Sequence, residues 1–376
     1  MRRNLVIDNL RGLAMLGVVG IHVGSFVLSS ATPRLDLFLL FEIFTRFAVP
    51  AFFFISGYGL FAGGALERPL DYVSFMRKRL VSVGVPYLVW SLFYIGLWQR
   101  HDIFHDGAFY PGVLLTKLFL GEGCYHIYFM VILLWFYITL PLWRRLVRLV
   151  DRKSALGTAV CLAVLAGLQL WLYRWSAGFW IYPAWTAQYP LLVKMLNARV
   201  NYIPLFYGFV FVLGALGAIH EDRVKAWLKG HLLTAGVVFL AACGVMLRSF
   251  FSLWKSGTPL ERVPEYLTQL TPEGLFYTVA WLMFFCALLE KLESRPLRFL
   301  KLLSAYSMVI YLIHPYFLSL IYSLFGVLGL AYFQVPVLLY YVLILLSSMA
   351  AGWVIQKAAL RWRPVGILLL GRQPRR

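Results

Sequence analysis

The sequence predicts an all-α integral membrane protein, a polytopic bundle in which about ten helices cross the bilayer. Of the 376 residues, 61% are hydrophobic and only 14% are charged, and the mean hydropathy is +0.76. A soluble domain cannot cover so much apolar surface. The apolar residues fall into runs that are each close to the ~20 residues a helix needs to cross a bilayer. The predicted spans are residues 6–28, 36–62, 81–98, 125–147, 155–174, 201–220, 231–251, 273–291, 303–325 and 331–356.

The positively charged residues are divided unequally between the two sides of this predicted bundle. The termini and every second loop hold 24 of the 35 Lys and Arg residues, whereas the opposite loops hold nine. By the positive-inside rule both termini are cytoplasmic, and an even number of spans, which places both termini on one side, agrees with this. We therefore interpret the net charge of +19 as a topology signal and a contact with membrane lipids, and we expect no nucleic-acid partner. We expect a single integral-membrane domain over residues 1–376.

In the first predicted span, the stretch from Asp8 to Phe26 carries two basic side chains, Arg11 and His22, in otherwise apolar sequence. Arg11 and His22 are separated by three helical turns, which places them on one face about 16 Å apart along the axis. Asp8 precedes Arg11 by three residues and can form an ion pair with it. Because ionisable groups inside a bilayer are costly and usually line a cavity, this face is a candidate functional site. The alternative is an Arg that extends to the lipid headgroups and a His that bonds to a neighbouring helix.

The second span carries a Glu–Arg pair and a proline. Glu42 and Arg46 are at i and i+4, the favourable order for an ion pair on a helix, and the pair is either structural or functional. Pro50 is expected to kink or loosen the helix. Ser56 and Tyr58 follow near the predicted cytoplasmic end of this span.

A basic run, Arg77, Lys78 and Arg79, lies in the predicted loop just before the third span. Positive charge on the cytoplasmic side explains such a run by itself. Alternatively, the run forms a cradle for the phosphates of a cytosolic cofactor, because guanidinium and ammonium groups bind phosphate oxygens strongly.

Two further histidines lie in apolar segments. His126 opens the fourth span near the predicted outer surface, on the same side as His22, and His314 lies near the middle of the ninth span, before Pro315. A single histidine in such a place is more often a polar contact than a catalyst, but three in different spans favour a functional site. The four cysteines form neither a CxxC pair nor a Cys/His cluster, so we expect no metal site.

The order and spacing of these residues resemble those of the acyltransferase family 3 membrane enzymes, and within them the surface-polysaccharide O-acyltransferases. The resemblance covers most of the chain. Ser82 departs from it, because family members often carry a second Arg at this position. The matching motifs are D-x-x-R-x10-H from Asp8 to His22, R-x-x-V-P-x-F-F-x-x-S-G-Y from Arg46 to Tyr58, the basic run before Pro86-Tyr87, YHIYF from Tyr125 to Phe129, and IYLIHPY from Ile310 to Tyr316.

The resemblance implies transfer of an acyl group, usually acetyl, from cytosolic acetyl-CoA or another acyl-CoA to a hydroxyl of a glycan or lipid-linked glycan. It further implies that the protein resides in the bacterial inner membrane and that the acceptor lies outside the cytoplasm. Because coenzyme A has a long thin arm, we expect its pantetheine to run along the Arg11–His22 face. The residues expected to be catalytic are His22, Arg11, Asp8, His126 and Arg46. The residues expected to contact the donor are Arg79, Lys78, Arg77, Ser56, Tyr58 and His314.

Acyl transfer to an alcohol needs a base for the hydroxyl proton and a group that stabilises the oxyanion. His22 is the candidate base, because burial favours a neutral imidazole, and His126 or Arg46 is the candidate for the second role. An acyl-His22 intermediate is the competing route. Alternatives from other classes are a secondary transporter or glycan permease with Arg11 and His22 as a proton relay, and a structural subunit of a polysaccharide export complex. The acceptor, the acyl group and the oligomeric state stay open.

Overall fold

A computed structural model describes residues 4–28, 34–151, 154–178, 188–292, 297–330 and 335–372 of the chain. Most of them are helical, as the sequence predicts, because a helix satisfies the backbone hydrogen bonds of an apolar segment internally. The α-helices are α1 (Leu5–Leu28), α2 (Leu35–Phe38), α3 (Ala48–Phe61), α4 (Tyr72–Arg79), α5 (Val85–Trp98), α6 (Arg100–Ile103), α7 (Pro111–Leu120), α8 (Tyr128–Ile138), α9 (Leu140–Asp151), α10 (Ala155–Gly178), α11 (Pro190–Asn197), α12 (Arg199–Tyr202), α13 (Gly208–Ile219), α14 (Glu221–Gly230), α15 (Leu232–Lys255), α16 (Val263–Tyr266), α17 (Pro272–Lys291), α18 (Arg298–Val327), α19 (Val337–Arg361) and α20 (Arg363–Leu370).

Other backbone conformations are short. Among the described residues, π-helices cover Leu39–Ile43 and Leu80–Gly84, and 3-10 helices cover Pro204–Tyr207 and Leu260–Arg262. Within the described ranges the only sheet is an antiparallel hairpin. Its strands are β1 (Phe104–His105) and β2 (Ala108–Phe109), which pair Phe104 with Phe109 and His105 with Ala108.

Eight helices in the described part of the chain are long and apolar enough to cross a membrane. The number rises to ten, as predicted, if two bent helix pairs each count as one span. The bend is 69° between α8 and α9, and 99° between the segment Pro204–Ile219 and α14. The tenth predicted span begins at residues 331–334, which lie outside the described residues, and α19 begins at Val337. The chain is therefore an all-α, multi-pass membrane protein.

The chain forms two compact units. Unit 1 comprises Met1–Ala65 and Val210–Trp353, and unit 2 comprises Leu66–Phe209 and Val354–Arg376. The expectation of one domain over residues 1–376 stays a prediction.

In unit 1, α1 is the central helix and packs against α2, α3, α17 and α18. Three glycines on one face of α1 let the second span approach closely. A Cβ atom on Gly17 would lie 2.9 Å from the Cβ of Ala48, and a Cβ on Gly20 would lie 3.1 Å from the methyl group of Thr45. The third glycine of this face, Gly24, lies against Glu42. The opposite side of α1 is thereby turned toward α18.

The second predicted span is broken in its middle. The π-helix Leu39–Ile43 leads into a turn over residues 44–47, and α3 begins at Ala48. Pro50 does not kink α3, because it lies in the first turn, where an N–H has no helical acceptor. The irregularity lies before it instead, and the hydroxyl of Tyr277 on α17 donates a hydrogen bond to the carbonyl of Phe44 at 2.8 Å.

In unit 2, the third span begins earlier than the sequence predicts. α4, the π-helix Leu80–Gly84 and α5 form one run from Tyr72 to Trp98. The prediction that the basic run lies in a loop is therefore wrong, because residues 77–79 end α4. The Asp71 side chain caps this helix by accepting a hydrogen bond from the backbone N–H of Ser74 at 3.1 Å, the usual role of Asp at a helix start.

The predicted fourth span, residues 125–147, is two helices instead of one. α8 ends at Ile138, and α9 begins at Leu140 with Pro141 in its first turn. Pro141 has no N–H to donate to the carbonyl four residues earlier, so the helix breaks in front of it. α9 then carries Arg144, Arg145 and Arg148 in a helix with one apolar and one basic side.

Candidate active site

α1 carries Asp8, Arg11 and His22 on one uninterrupted helix, so the predicted common face of Arg11 and His22 is confirmed. The Arg11 guanidinium lies 3.6 Å from the Asp8 carboxylate. Asp8 is buried, whereas the side chain of Arg11 is partly exposed. Because a pair with one exposed member adds little stability, Asp8 mainly orients Arg11.

The rings of His22 and His314 stack against each other in unit 1. Their centroids are 5.0 Å apart, and their planes differ by 26°. The sequence had placed these residues in separate spans with separate roles, and the packing of α18 against α1 brings them together. His314 is 0% exposed, whereas His22 is only partly buried. His22 is therefore the more accessible ring of this pair.

The backbone contacts of His314 define its protonation. Its Nδ1 lies 2.8 Å from the carbonyl oxygen of Tyr311 and 3.0 Å from that of Ile310. Carbonyl oxygens only accept hydrogen bonds, so Nδ1 carries a hydrogen. The neighbouring Pro315 accounts for this bond, because a proline cannot donate to the carbonyl four residues earlier, which is that of Tyr311. His314 supplies the missing donor, and α18 continues through the proline.

A buried ion pair lies beside α1. Nη2 of Arg46 donates to Oε2 of Glu42 at 3.0 Å, and both side chains are buried. The predicted i,i+4 pair is confirmed, although the backbone that carries it is a π-helix and a turn instead of an α-helix. Arg46 also interacts electrostatically with His22. Unit 1 thus gathers two imidazoles and a guanidinium.

These groups are suited to proton transfer next to a developing negative charge. A neutral imidazole such as that of His22 accepts a proton from a hydroxyl. A buried guanidinium such as that of Arg46 stabilises a nearby anion more strongly than it would in water.

Ser56 and Tyr58, predicted to contact a donor, have structural contacts in unit 1. The Ser56 hydroxyl donates to a carbonyl of its own helix at 2.8 Å. The side-chain amide of Asn4 donates to the Tyr58 hydroxyl at 2.8 Å and to the Glu221 carboxylate at 2.9 Å. Tyr58 thereby joins the end of α3 to the start of α1. Its contact with a donor, and that of Ser56, stay predictions.

The basic run in unit 2 contains one guanidinium that is held in place. The Arg79 guanidinium carbon lies 5.1 Å from the ring centroid of Phe75 and 5.1 Å from that of Tyr137. Arg77 and Lys78 are exposed. Aromatic rings attract a cation placed over their faces, and the in-plane N–H groups of a guanidinium bind phosphate oxygens. Arg79 is therefore the pre-oriented cation of the run.

His126 lies in unit 2, in the turn before α8. It is 1% exposed and meets Tyr94 and Tyr125 edge to face, each at a centroid distance of 5.6 Å. These contacts describe a histidine enclosed by aromatic rings. Its catalytic role stays a prediction.

Cys124 lies two residues before His126, and a Cys–His pair is a common nucleophile. Burial raises the pKa of the Cys124 thiol to about 12. The thiol therefore keeps its proton at neutral pH, and only a thiolate is a strong nucleophile. Cys124 is therefore a poor candidate for a nucleophile.

Sequence reasoning missed the partners that hold these side chains. The His-Pro dipeptide carried a signal for the Tyr311 contact, because a proline inside a helix always removes the donor to the carbonyl four residues earlier. No local signal pointed to Tyr137 as a partner of Arg79, or to Tyr277 as the donor to Phe44, since these residues are distant in the chain.

Comparison with known protein families matches residues 4–357 to the family 3 acyltransferase domain. No curated protein and no solved structure matched the chain. The family match includes every motif quoted above, and it favours an enzyme over a transporter or a scaffold subunit. The chain belongs to acyltransferase family 3, and it is a multi-pass membrane acyltransferase.

Proposed function

We propose that this enzyme transfers an acyl group, in the first instance acetyl, from cytosolic acyl-CoA to a hydroxyl of a glycan or lipid-linked glycan outside the cytoplasm of a bacterium. In this proposal the enzyme resides in the inner membrane. Family membership supports acyl transfer. The observation that carries the rest is the partly buried His22, which stacks on His314 and interacts with the charge of Arg46. A base beside a fixed positive charge is what acyl transfer to a hydroxyl requires.

The proposed direct reaction has one nucleophile and one leaving group. The acceptor oxygen attacks the thioester carbonyl carbon while His22 removes the hydroxyl proton. Arg46 stabilises the oxyanion that forms, and the C–S bond then breaks. The proton passes from His22 to the departing sulfur, so the products are an ester and free coenzyme A. Asp8 and Arg11 lie on the helix that carries His22, and Asp8 orients the Arg11 guanidinium.

The phosphates of coenzyme A have a separate proposed partner. We assign them to Arg79 and, with weaker orientation, to Arg77 and Lys78. The support is the fixed guanidinium of Arg79 between two rings, because a bidentate contact with phosphate needs a fixed orientation. Acyl-CoA is a co-substrate in this scheme, and no metal takes part.

The function is tested with the purified full-length protein, radiolabelled acetyl-CoA and cell-surface glycan of the source organism, treated with mild base to free its hydroxyl groups. We expect labelled glycan and one free thiol per acetyl transferred. His22→Ala should lower the rate by about 10²- to 10⁴-fold, the usual contribution of a general base. His231→Ala is the matched control, since His231 is exposed on unit 1 and bonds to the backbone of Trp227. Full activity of His22→Ala would eliminate the proposed role of His22.

A rapid-mixing experiment separates direct transfer from an acyl-His22 intermediate. Enzyme and acetyl-CoA are mixed without glycan, and the free thiol is measured. Direct transfer predicts no thiol burst, whereas an acyl-enzyme predicts about one thiol per enzyme molecule in the first turnover. Repeating the steady-state assay with succinyl-CoA identifies the acyl group. Mass analysis of surface glycan from cells with and without the protein identifies the acceptor.

A further inference from the structure

We propose that His314 is a positioning residue for His22, and that the adjacent Pro315 fixes the tautomer in which it acts. This inference rests on the proposed role of His22 as the base. It assigns to His314 an action through the His22 ring, in place of the direct contact with a donor that the sequence suggested.

The His-Pro sequence in α18 determines which nitrogen of His314 carries the hydrogen. Pro315 lies inside this helix and has no N–H, so the carbonyl of Tyr311 lacks its helical donor. Nδ1 of His314 lies 2.8 Å from that carbonyl oxygen. Both backbone atoms near Nδ1 are acceptors, so the hydrogen of the neutral ring is on Nδ1 and the lone pair is on Nε2. The proline thus selects one of the two neutral tautomers.

The buried ring of His314 restrains the ring of His22. His314 is 0% exposed, so no substrate atom can touch it without a rearrangement of the helices. Its ring lies against that of His22 at 5.0 Å and 26°. A ring fixed by its own backbone bonds limits the orientations that the His22 ring can adopt. A displacement of about 1 Å at a reacting group can lower a rate by about 10²-fold, so this restraint matters for catalysis.

The charge state of His314 matters when His22 is protonated. When His22 accepts a proton it becomes a cation. A second cation at the position of His314 would repel it. His314 has its Nδ1–H engaged with the backbone and its whole side chain buried, which suits the neutral form. A neutral His314 therefore adds no charge repulsion beside a protonated His22.

Two variants separate this role from the simpler ones. His314→Asn keeps a side-chain donor near the position of Nδ1 but removes the ring. The double variant with His314→Phe and Pro315→Ala keeps a ring and returns a backbone N–H to the Tyr311 carbonyl, but it has no imidazole. If His314 only donated a hydrogen bond to the Tyr311 carbonyl, Asn would substitute for it. If His314 exchanged protons through Nε2, Phe would not substitute for it.

The kinetic test uses the full-length enzyme with acetyl-CoA and base-treated glycan. We expect His314→Asn to lower kcat by about tenfold to 10²-fold with the KM for acetyl-CoA unchanged, because the restraint on His22 is lost. We expect the double variant to retain more activity than His314→Asn, because it keeps a ring against His22 although it lacks the bond from Nδ1 to the Tyr311 carbonyl. Wild-type activity of His314→Asn would overturn the proposal, and so would a folded double variant as inactive as His22→Ala. If His22→Ala is itself active, the proposed function fails first, so the two failures are distinguishable.

A second measurement does not depend on activity or on the folding of the double variant. Nitrogen-15 NMR of the wild-type protein with labelled histidine, assigned by comparison with His314→Asn, reports which ring nitrogen carries the hydrogen. We expect His314 in the Nδ1–H form. We also expect carbethoxylation of His22 to be faster in His314→Asn than in the wild type, with His231 as the internal reference. An Nε2–H tautomer, or an unchanged rate for His22, would contradict the proposal.

Discussion

A Cβ atom on Gly24 would lie 2.8 Å from the carboxyl carbon of Glu42, so a larger residue at this position would force the Glu42 side chain to move. This contact places the Glu42–Arg46 pair beside the helix that carries His22. We expect Gly24→Ala to displace Glu42 and to destabilise the fold by about 1–3 kcal/mol, the usual cost of overpacking a buried contact.

The melting temperature in detergent, followed by tryptophan fluorescence, measures the effect of Gly24→Ala. Gly244→Ala is the matched control, because Gly244 lies on α15 with no atom within 4 Å of a Cβ built there. Alanine is a better helix former than glycine by about 0.5–1 kcal/mol, so the control should be as stable as the wild type or more so. Equal melting temperatures for the two variants would show that the Glu42 contact is not tight.

The Glu42–Arg46 pair allows stability and catalysis to be separated. Arg46→Met leaves the Glu42 carboxylate buried without this guanidinium, which should cost about 3–5 kcal/mol. The double variant with Glu42→Leu and Arg46→Met removes both charges and should recover most of that loss, because an apolar pair replaces a buried ion pair well. If Arg46 stabilises the oxyanion, the double variant recovers stability but does not recover acyl transfer. A double variant with wild-type activity would make the pair purely structural.

The ring of Tyr137 holds the guanidinium of Arg79. We expect Tyr137→Leu to weaken coenzyme A binding by about twofold to thirtyfold, which corresponds to a cation–π contribution of about 0.5–2 kcal/mol. Tyr137→Phe keeps the ring and should bind as the wild type does. Isothermal titration calorimetry with coenzyme A measures both variants. Identical dissociation constants for Tyr137→Leu and Tyr137→Phe would argue against a phosphate site at Arg79.

The reactivity of Cys124 depends on pH in a predictable direction. Because burial raises the pKa of this thiol to about 12, the reactive thiolate is scarce at pH 7 and increases only as the pH approaches that value. We expect iodoacetamide to leave Cys124 unlabelled at pH 7 in the folded enzyme and to label it after denaturation, as peptide mass mapping reports. Cys124→Ala should keep acyl transfer within about threefold of the wild-type rate, because no step uses this thiol. Rapid labelling of Cys124 in the folded protein at pH 7 would contradict the raised pKa of this thiol.

Local patterns account for the parts of the fold that could be predicted. The length of each apolar run reflects the thickness of a bilayer, so the spans could be located before the structure was known. The start of the third span was wrong because the apolar run begins at its π-helix, whereas the helix itself begins at the cap formed by Asp71. The bend in the fourth span was missed although Pro141 marks it, because hydropathy does not register a missing backbone donor.

The sequence by itself determined the fold class, the family motifs and the geometry of Arg11 and His22, since residues on one helix are related by a fixed rise and rotation. The tertiary structure alone decided that the ring stacked on His22 belongs to His314, and that Arg46 comes to His22 from a broken span. Contacts between helices depend on how whole faces pack. Here the glycines of α1 allow the second span to approach closely, and residue spacing does not show which helix they meet.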